Sequence, residues 1–236
     1  MSLSIPSVSK ESVAELVQSV DTSGFACIPN YLNPADLKRI QNFVTDAVNC
    51  AGKQYVHFNG SDSLIGSGLE ELAASAEFEA LIHQVYELGT GRTAQKEEFY
   101  QVLRCLSGSS GRKNSLIYHY DSYVVTALLP IHIPQEGLAG DLLMYPNTRQ
   151  IRSSYLANAV DKVLLDNPAT QWMLRSRVNA SMLKPMRIKM QPGNLYFFWG
   201  YRSIHTNEPC DPDKIRATAL FHYHNPHRGA KPVSIN

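Results

Sequence analysis

The sequence predicts an α+β fold, helices first and a jelly-roll-like double-stranded barrel after. Three observations carry that reading. Before residue 97 apolar residues recur at helical spacing. After it, short β-branched and aromatic runs alternate with Gly, Pro and Asn. Between two of those runs, residues 150–182 return to helical spacing with Leu156, Val160, Val163 and Leu164. No repeat or Pro/Gly/Ser linker divides the 236 residues, so one domain is expected. It comprises a helical part over 1–95, a barrel over 97–228 and a helical lid inserted at about 150–182.

Residues 11–20 suit a short helix and Phe25–Ile28 a brief strand. Asn33 followed by Pro34 reads as an N-cap with proline in the first turn. Leu37, Ile40, Phe43, Val44 and Ala47 then lay one apolar stripe along a helix over 34–49. A second helix is expected from the Ser67-x-x-Glu70 capping box, with Phe78, Leu81, Ile82, Val85 and Leu88 on one face and a stop at Gly89. Strands are expected at 99–106, 115–120, 123–133, 141–145, 186–190, 195–199 and 217–223. Ser107–Lys113 reads as a hairpin loop, since it lacks the Gly-Lys-Ser/Thr ending of a phosphate loop. Asn167-Pro168 should break the helical insertion.

Lys plus Arg number 22 and Asp plus Glu 21, a formal charge of +1, which implies no polybasic face for nucleic acid or anionic lipid. Cys27, Cys50, Cys105 and Cys210 form no Cys-x-x-Cys pair, so neither a disulfide scaffold nor a thiolate zinc site is indicated. No run approaches the ~18 apolar residues of a membrane span. The first residues lack the apolar core of a secretory signal, and Val-Ser-Ile-Asn at the other end is not a peroxisomal address. A cytoplasmic protein acting on a small molecule is expected.

Among eight histidines, His57 in an expected loop and His83 beside a helical stripe suit structural roles. His119-Tyr120-Asp121 differs, because in a strand residues i and i+2 project to one side. His205, six residues past Trp199, supplies a second imidazole. Two imidazoles and one carboxylate on one face of an ion make the facial triad of non-haem Fe(II) sites, with positions left open for co-substrate and dioxygen. Arg216 begins eleven residues after His205, and Thr218 shares its side of a strand. A planar guanidinium fork plus a hydroxyl suits the far carboxylate of a dicarboxylic acid. His222-Tyr223-His224 could instead pair two imidazoles for zinc, although His222 shares parity with Arg216 and suits a pocket-lining role. Cys210 lies in a turn and is a weak nucleophile candidate.

In this order and spacing, His119-Tyr120-Asp121, His205 and Arg216-x-Thr218 resemble the Fe(II)/2-oxoglutarate-dependent oxygenases, most closely the phytanoyl-CoA-dioxygenase-like group. Gly140–Pro146 resembles the family's Gly-rich strand, Pro192–Trp199 its Pro-Gly turn and following strand, and Gly24–Leu32 its opening strand and helix. The resemblance implies a double-stranded β-helix of the cupin-like kind. It implies Fe(II) on His119, Asp121 and His205, with 2-oxoglutarate held at its 5-carboxylate by Arg216 and Thr218. It further implies O2 as oxidant and hydroxylation of an unactivated C–H bond of a small organic molecule, releasing succinate and CO2. Related halogenases replace the carboxylate that is present here as Asp121. Substrate contacts are expected at Tyr123, Arg149 and Trp199, with Tyr201 and Arg202 flanking the distal histidine. Two other classes stay open: a jelly-roll protein that binds a metal or ligand without turnover, and a zinc-dependent hydrolase.

Overall fold

The computed structural model describes residues 3–176 and 184–228. The first part contains α1 (Lys10–Ser23), β1 (Ala26–Ile28), α2 (Pro34–Cys50), β2 (Val56–Asn59), α3 (Leu69–Ala74) and α4 (Ala76–Thr90). It continues with β3 (Tyr100–Leu106), α5 (Gly108–Lys113), β4 (Val125–His132) and β5 (Leu142–Tyr145). The inserted helices are α6 (Tyr155–Asp166) and α7 (Pro168–Arg175), followed by β6 (Met186–Ile188), β7 (Leu195–Phe198), β8 (Ile204–Asn207) and β9 (Arg216–Tyr223). No described helix is long and apolar enough to cross a membrane.

All strand pairs are antiparallel: a six-stranded sheet in the order β1-β7-β4-β9-β3-β2, and a three-stranded sheet β6-β5-β8. Side-chain alternation divides the apolar residues into two layers. The odd residues of β9 (Ala217, Ala219, Phe221, Tyr223) join Val17, Ile40, Phe78 and Ile82 in a core between the large sheet and the helices. The opposite face gives Leu128, Tyr196 and Phe198, which meet Leu142, Met144 and Ile188 of the small sheet. That inner space between the sheets is where β9 also turns Arg216, Thr218 and His222.

Local chemistry set α2 as expected: the Asn33 side chain accepts the Asp36 N–H at 2.9 Å and Pro34 opens the helix. The expected single helix after Ser67 is two. Ser75 takes an extended conformation and caps α4 through Phe78 N–H, while Ser67 and Glu70 fold onto the turn around Gly68, the N-cap of α3. The second of these helices also runs past Gly89 to a left-handed Gly91. Gly89 is a space requirement: a Cβ there would stand 2.1 Å from the buried Trp199 ring. Gly89→Ala is expected to cost about 1–3 kcal/mol of overpacking, offset by at most ~1 kcal/mol of helix propensity, read as a lower urea midpoint.

Three further expectations are corrected. Residues 115–120 form no strand, because their backbone meets β8 only at separate points, the Leu116 N–H donating to Asn207 O at 2.9 Å and the bridge His119–His205. Ser107–Lys113 closes as the short helix α5. His57 lies in β2, opposite Arg104, and not in a loop. The insertion does break at Asn167, which caps α7 through Ala169 N–H. Its apolar stripe faces outward: Leu156, Val160, Val163 and Leu164 are exposed, and Asn158 and Leu165 are buried. Residues 177–182 of the expected lid lie outside the described residues.

Candidate metal centre

The two histidines meet because of a backbone bridge. His119 N–H donates to His205 O at 3.1 Å and His205 N–H to His119 O at 3.0 Å, which sets the imidazoles side by side with centroids 4.4 Å apart. Asp121 is fixed one step further on, its N–H donating to Gly200 O at 3.0 Å. A Cβ on Gly200 would lie 2.2 Å from both Asp121 Oδ2 and Thr126 Oγ1, so the carboxylate occupies space that only glycine leaves free. His-x-Asp therefore works from an extended loop held against the turn after β7, not from a strand.

Asp121 Oδ1 lies 3.7 Å from His119 Nε2 and 3.5 Å from His205 Nε2. One ligand atom from each residue falls within 4.8 Å of the others, a separation that suits a single ion. His119 Nδ1 is 2.9 Å from Ile117 O and His205 Nδ1 3.1 Å from Ser203 O, so both Nδ1 atoms donate and both Nε2 atoms keep their lone pairs toward Asp121. The outer oxygen is held separately. Thr126 Oγ1 donates to Asp121 Oδ2 at 2.6 Å, and its one proton being used, it accepts from His222 Nδ1–H at 3.1 Å. His222 Nδ1 itself stands 3.7 Å from Oδ2.

Electrostatics follow this arrangement. Burial alone would raise the Asp121 pKa, but His205 and His222 outweigh it and hold the carboxyl well below its usual range. Burial pushes His119 down to about 4, with His205 beside it adding to the shift. His205 is raised, because Asp121 outweighs burial. Protons therefore compete with a metal at His205 first. Fe(II) affinity is expected to fall as pH drops through the raised His205 value, with His119 joining only near about 4. A metal titration across pH reads this. Thr126→Ala, which frees the outer oxygen, is expected to weaken metal binding about 10- to 100-fold in the same titration.

Arg216 opens β9 and is buried at 3% exposure. Its Nε donates to Gly140 O at 3.0 Å and its Nη1 to Thr218 Oγ1 at 3.1 Å. Among the described residues no carboxylate lies within 4 Å of it. Burial, and then the neighbouring Arg104, disfavour its charge. Arg104 sits opposite Thr218 on β3, and its charge also disfavours protonation of His119 and His205.

The expected substrate residues separate. Tyr123 stacks on His222 (5.2 Å) and Tyr100 (5.4 Å), forming an aromatic wall against the triad. Arg149 is buried, its guanidinium lying 3.8 Å over the Tyr120 ring and 4.3 Å from that of Tyr201. Trp199 is not at the centre: it continues the odd-numbered face of β7 with Leu195 and Phe197 into the helix-side core, and its Nε1 donates to Asp21 at 2.8 Å. Parity gives Phe198 instead, edge-on to His205 at 4.9 Å. Arg202 also turns to Asp21, at 3.2 Å. His224 leaves the strand with φ 58° and binds Glu97, so it forms no pair with His222. Cys210 is buried with its thiol pushed up to about 11, far from nucleophilic. Thr126, Arg104 and Phe198 were missed in the sequence; only Phe198 had a signal there, the alternation of 195–199.

The sequence matches no protein-family model and no curated protein. Solved structures do match. A prolyl hydroxylase from Trichoplax adhaerens, in complex with a hypoxia inducible factor oxygen degradation domain peptide fragment, shares 15% identity over 94% of each chain with a TM-score of 0.63. A Pseudomonas putida prolyl-4-hydroxylase shares 17% over 95% of this chain and 98% of its own, TM-score 0.53. The non-heme alpha-ketoglutarate-dependent epimerase SnoN from nogalamycin biosynthesis shares 14% over 95% and 91%, TM-score 0.56. The chain therefore shares its mixed helix and antiparallel-sheet fold with these solved oxygenase structures, and it carries a His-Asp-His cluster among its described residues.

Proposed function

We propose that the chain is an Fe(II)- and 2-oxoglutarate-dependent dioxygenase of the phytanoyl-CoA-dioxygenase-like group. It hydroxylates an unactivated C–H bond of a small organic metabolite in the cytoplasm, releasing succinate and CO2. The two facing sheets are read as a double-stranded β-helix within one domain. One observation carries the reading beyond a metal-binding protein: Arg216, buried, bonded to Thr218 and with no carboxylate within 4 Å among the described residues, suits an incoming anion. Leaving such a charge uncompensated costs several kcal/mol, so the arrangement is explained by a bound carboxylate.

The donor set fits iron. Two imidazoles with free Nε2 lone pairs and one ionised carboxylate match the facial triad of non-haem Fe(II) sites, and His119, Asp121 and His205 would hold the ion. With iron and 2-oxoglutarate bound, the centre supplies dioxygen activation coupled to oxidative decarboxylation of 2-oxoglutarate. The chain's own part is positioning. Thr126 and His222 hold Asp121 Oδ2, leaving Oδ1 for the metal. Thr218, accepting from Arg216, keeps its hydroxyl proton for the 5-carboxylate. Phe198 and the Tyr123–His222 stack line the centre with ring surface that excludes water.

The test is succinate formation by metal-stripped protein given Fe(II), 2-oxoglutarate and O2, then a metabolite library scored above the uncoupled background. Succinate that requires both Fe(II) and 2-oxoglutarate supports the reading. None above a protein-free control rejects it, and a hydrolysis indifferent to 2-oxoglutarate but requiring zinc would put the hydrolase reading in its place.

A further inference from the structure

We propose that the inner face of α6, with Arg149, forms an anion-binding wall beside the metal centre, so that the substrate carries a carboxylate or phosphoryl group there. The inference rests on the oxygenase reading for its consequence, though not for its geometry. The helix is turned against its own amphipathicity: Leu156, Val160, Val163 and Leu164 face outward, while Asp161 turns to Arg149 and Lys162 to Ser122 beside Asp121.

Lys162 Nζ, half-buried, donates to Ser122 Oγ at 2.7 Å, one residue beyond Asp121. Among the described residues no carboxylate lies within 4 Å of it, although Asp166 is one turn further along α6. Arg149 is 7% exposed and packs on the ring of Tyr120, the residue between His119 and Asp121. Its Nε donates to Tyr201 O at 2.7 Å and its Nη1 to Asp161 at 3.0 Å, yet its Nη2 is buried with no acceptor. Asp161 is further shared with Arg152 at 2.8 Å, so one carboxylate serves two guanidinium groups while Lys162 stands beside them. His227, bonded to Tyr201 at 3.0 Å, adds a third nitrogen-bearing group, and both Arg149 and Lys162 act on it electrostatically. A buried guanidinium N–H without an acceptor next to an ammonium without a carboxylate is a wall short of one anion.

Reductive methylation of lysines with formaldehyde and cyanoborohydride, followed by peptide mass spectrometry on the full chain, tests this directly. Inorganic phosphate, acetate and glycerol are titrated at ionic strength matched with sodium chloride. Phosphate or acetate is expected to slow Lys162 methylation saturably, about tenfold at ten times its dissociation constant, while other lysines are unaffected. Protection by phosphate alone assigns a phosphoryl group; equal protection by acetate assigns a carboxylate. Calorimetric binding of the protecting anion should vanish in Lys162→Met and persist in Lys162→Arg. Lys162 methylation indifferent to both anions, or slowed equally by glycerol, overturns the proposal. Succinate formation is measured on the same samples: protection without it retracts the oxygenase reading and leaves the anion wall, and succinate without protection retracts the wall alone.

Discussion

Replacing His119 with alanine is expected to weaken Fe(II) binding by more than about 100-fold, beyond what losing an outer partner of a ligand usually costs. Turnover should be lost with it. The fold should barely respond. Its side chain is 37% exposed, it is neutral with a pKa pushed down to about 4, and its backbone bridge to His205 does not depend on the imidazole. Loss of a half-buried, neutral imidazole of this kind is expected to cost no more than about 1 kcal/mol. Metal titration and thermal unfolding of the metal-free protein on one sample separate the two effects. His205→Ala should match the metal loss and add a stability cost, because it strips the buried Asp121 carboxylate of a neighbour at 3.5 Å. Undiminished affinity in His119→Ala, with a large loss in His222→Ala, would move the third ligand from His119 to His222, whose Nδ1 lies 3.7 Å from Oδ2.

What could be read from the sequence was what local chemistry decides. Asn33-Pro34 fixes the start of α2 through one side-chain bond and one fixed φ, and no distant residue can change either. The clustering of His119 and Asp121 was legible for a similar reason: His-x-Asp is a spacing, and it holds in a loop as it would in a strand. The strand assignment itself failed, because only a bridge of two hydrogen bonds ties residue 119 to the sheet. β8 was missed because Ile204–Asn207 is short and mostly polar, its place set by pairing with β5 and not by its own pattern. The orientation of α6 is set from a distance. Its apolar stripe is real, but Lys162–Ser122 and Asp161–Arg149 bind the polar face inward, and those partners lie 40 and 12 residues away. Arg104 was invisible, since only the β3–β9 register sets it opposite Thr218.

Arg216 carries the second large effect, and its sign reverses with ligand. In the protein without 2-oxoglutarate the guanidinium is buried, crowded by Arg104, and without a carboxylate within 4 Å among the described residues. A guanidinium does not shed its proton to escape. The cost therefore stays in the folded state, and Arg216→Met, which fills similar volume without charge, is expected to stabilise the ligand-free protein by roughly 1–4 kcal/mol. With 2-oxoglutarate the order inverts. The 5-carboxylate would meet a ready two-pronged donor, and removing that donor leaves the carboxylate desolvated and unpaired, at roughly 3–5 kcal/mol. At about 1.4 kcal/mol per tenfold, the variant should bind 2-oxoglutarate on the order of 10²–10³ more weakly. Fe(II) affinity should hardly change, since none of the triad atoms touches Arg216. Thr218→Ala, losing one hydrogen bond, should cost about 1 kcal/mol. Urea unfolding with and without ligand shows the crossing: 2-oxoglutarate at 100 times its wild-type dissociation constant should raise wild-type stability by about 2.7 kcal/mol and that of Arg216→Met by no more than about 0.4 kcal/mol. A variant that is less stable without ligand and equally stabilised by it would make Arg216 a packing residue held by Gly140, and the dicarboxylate would have to bind elsewhere.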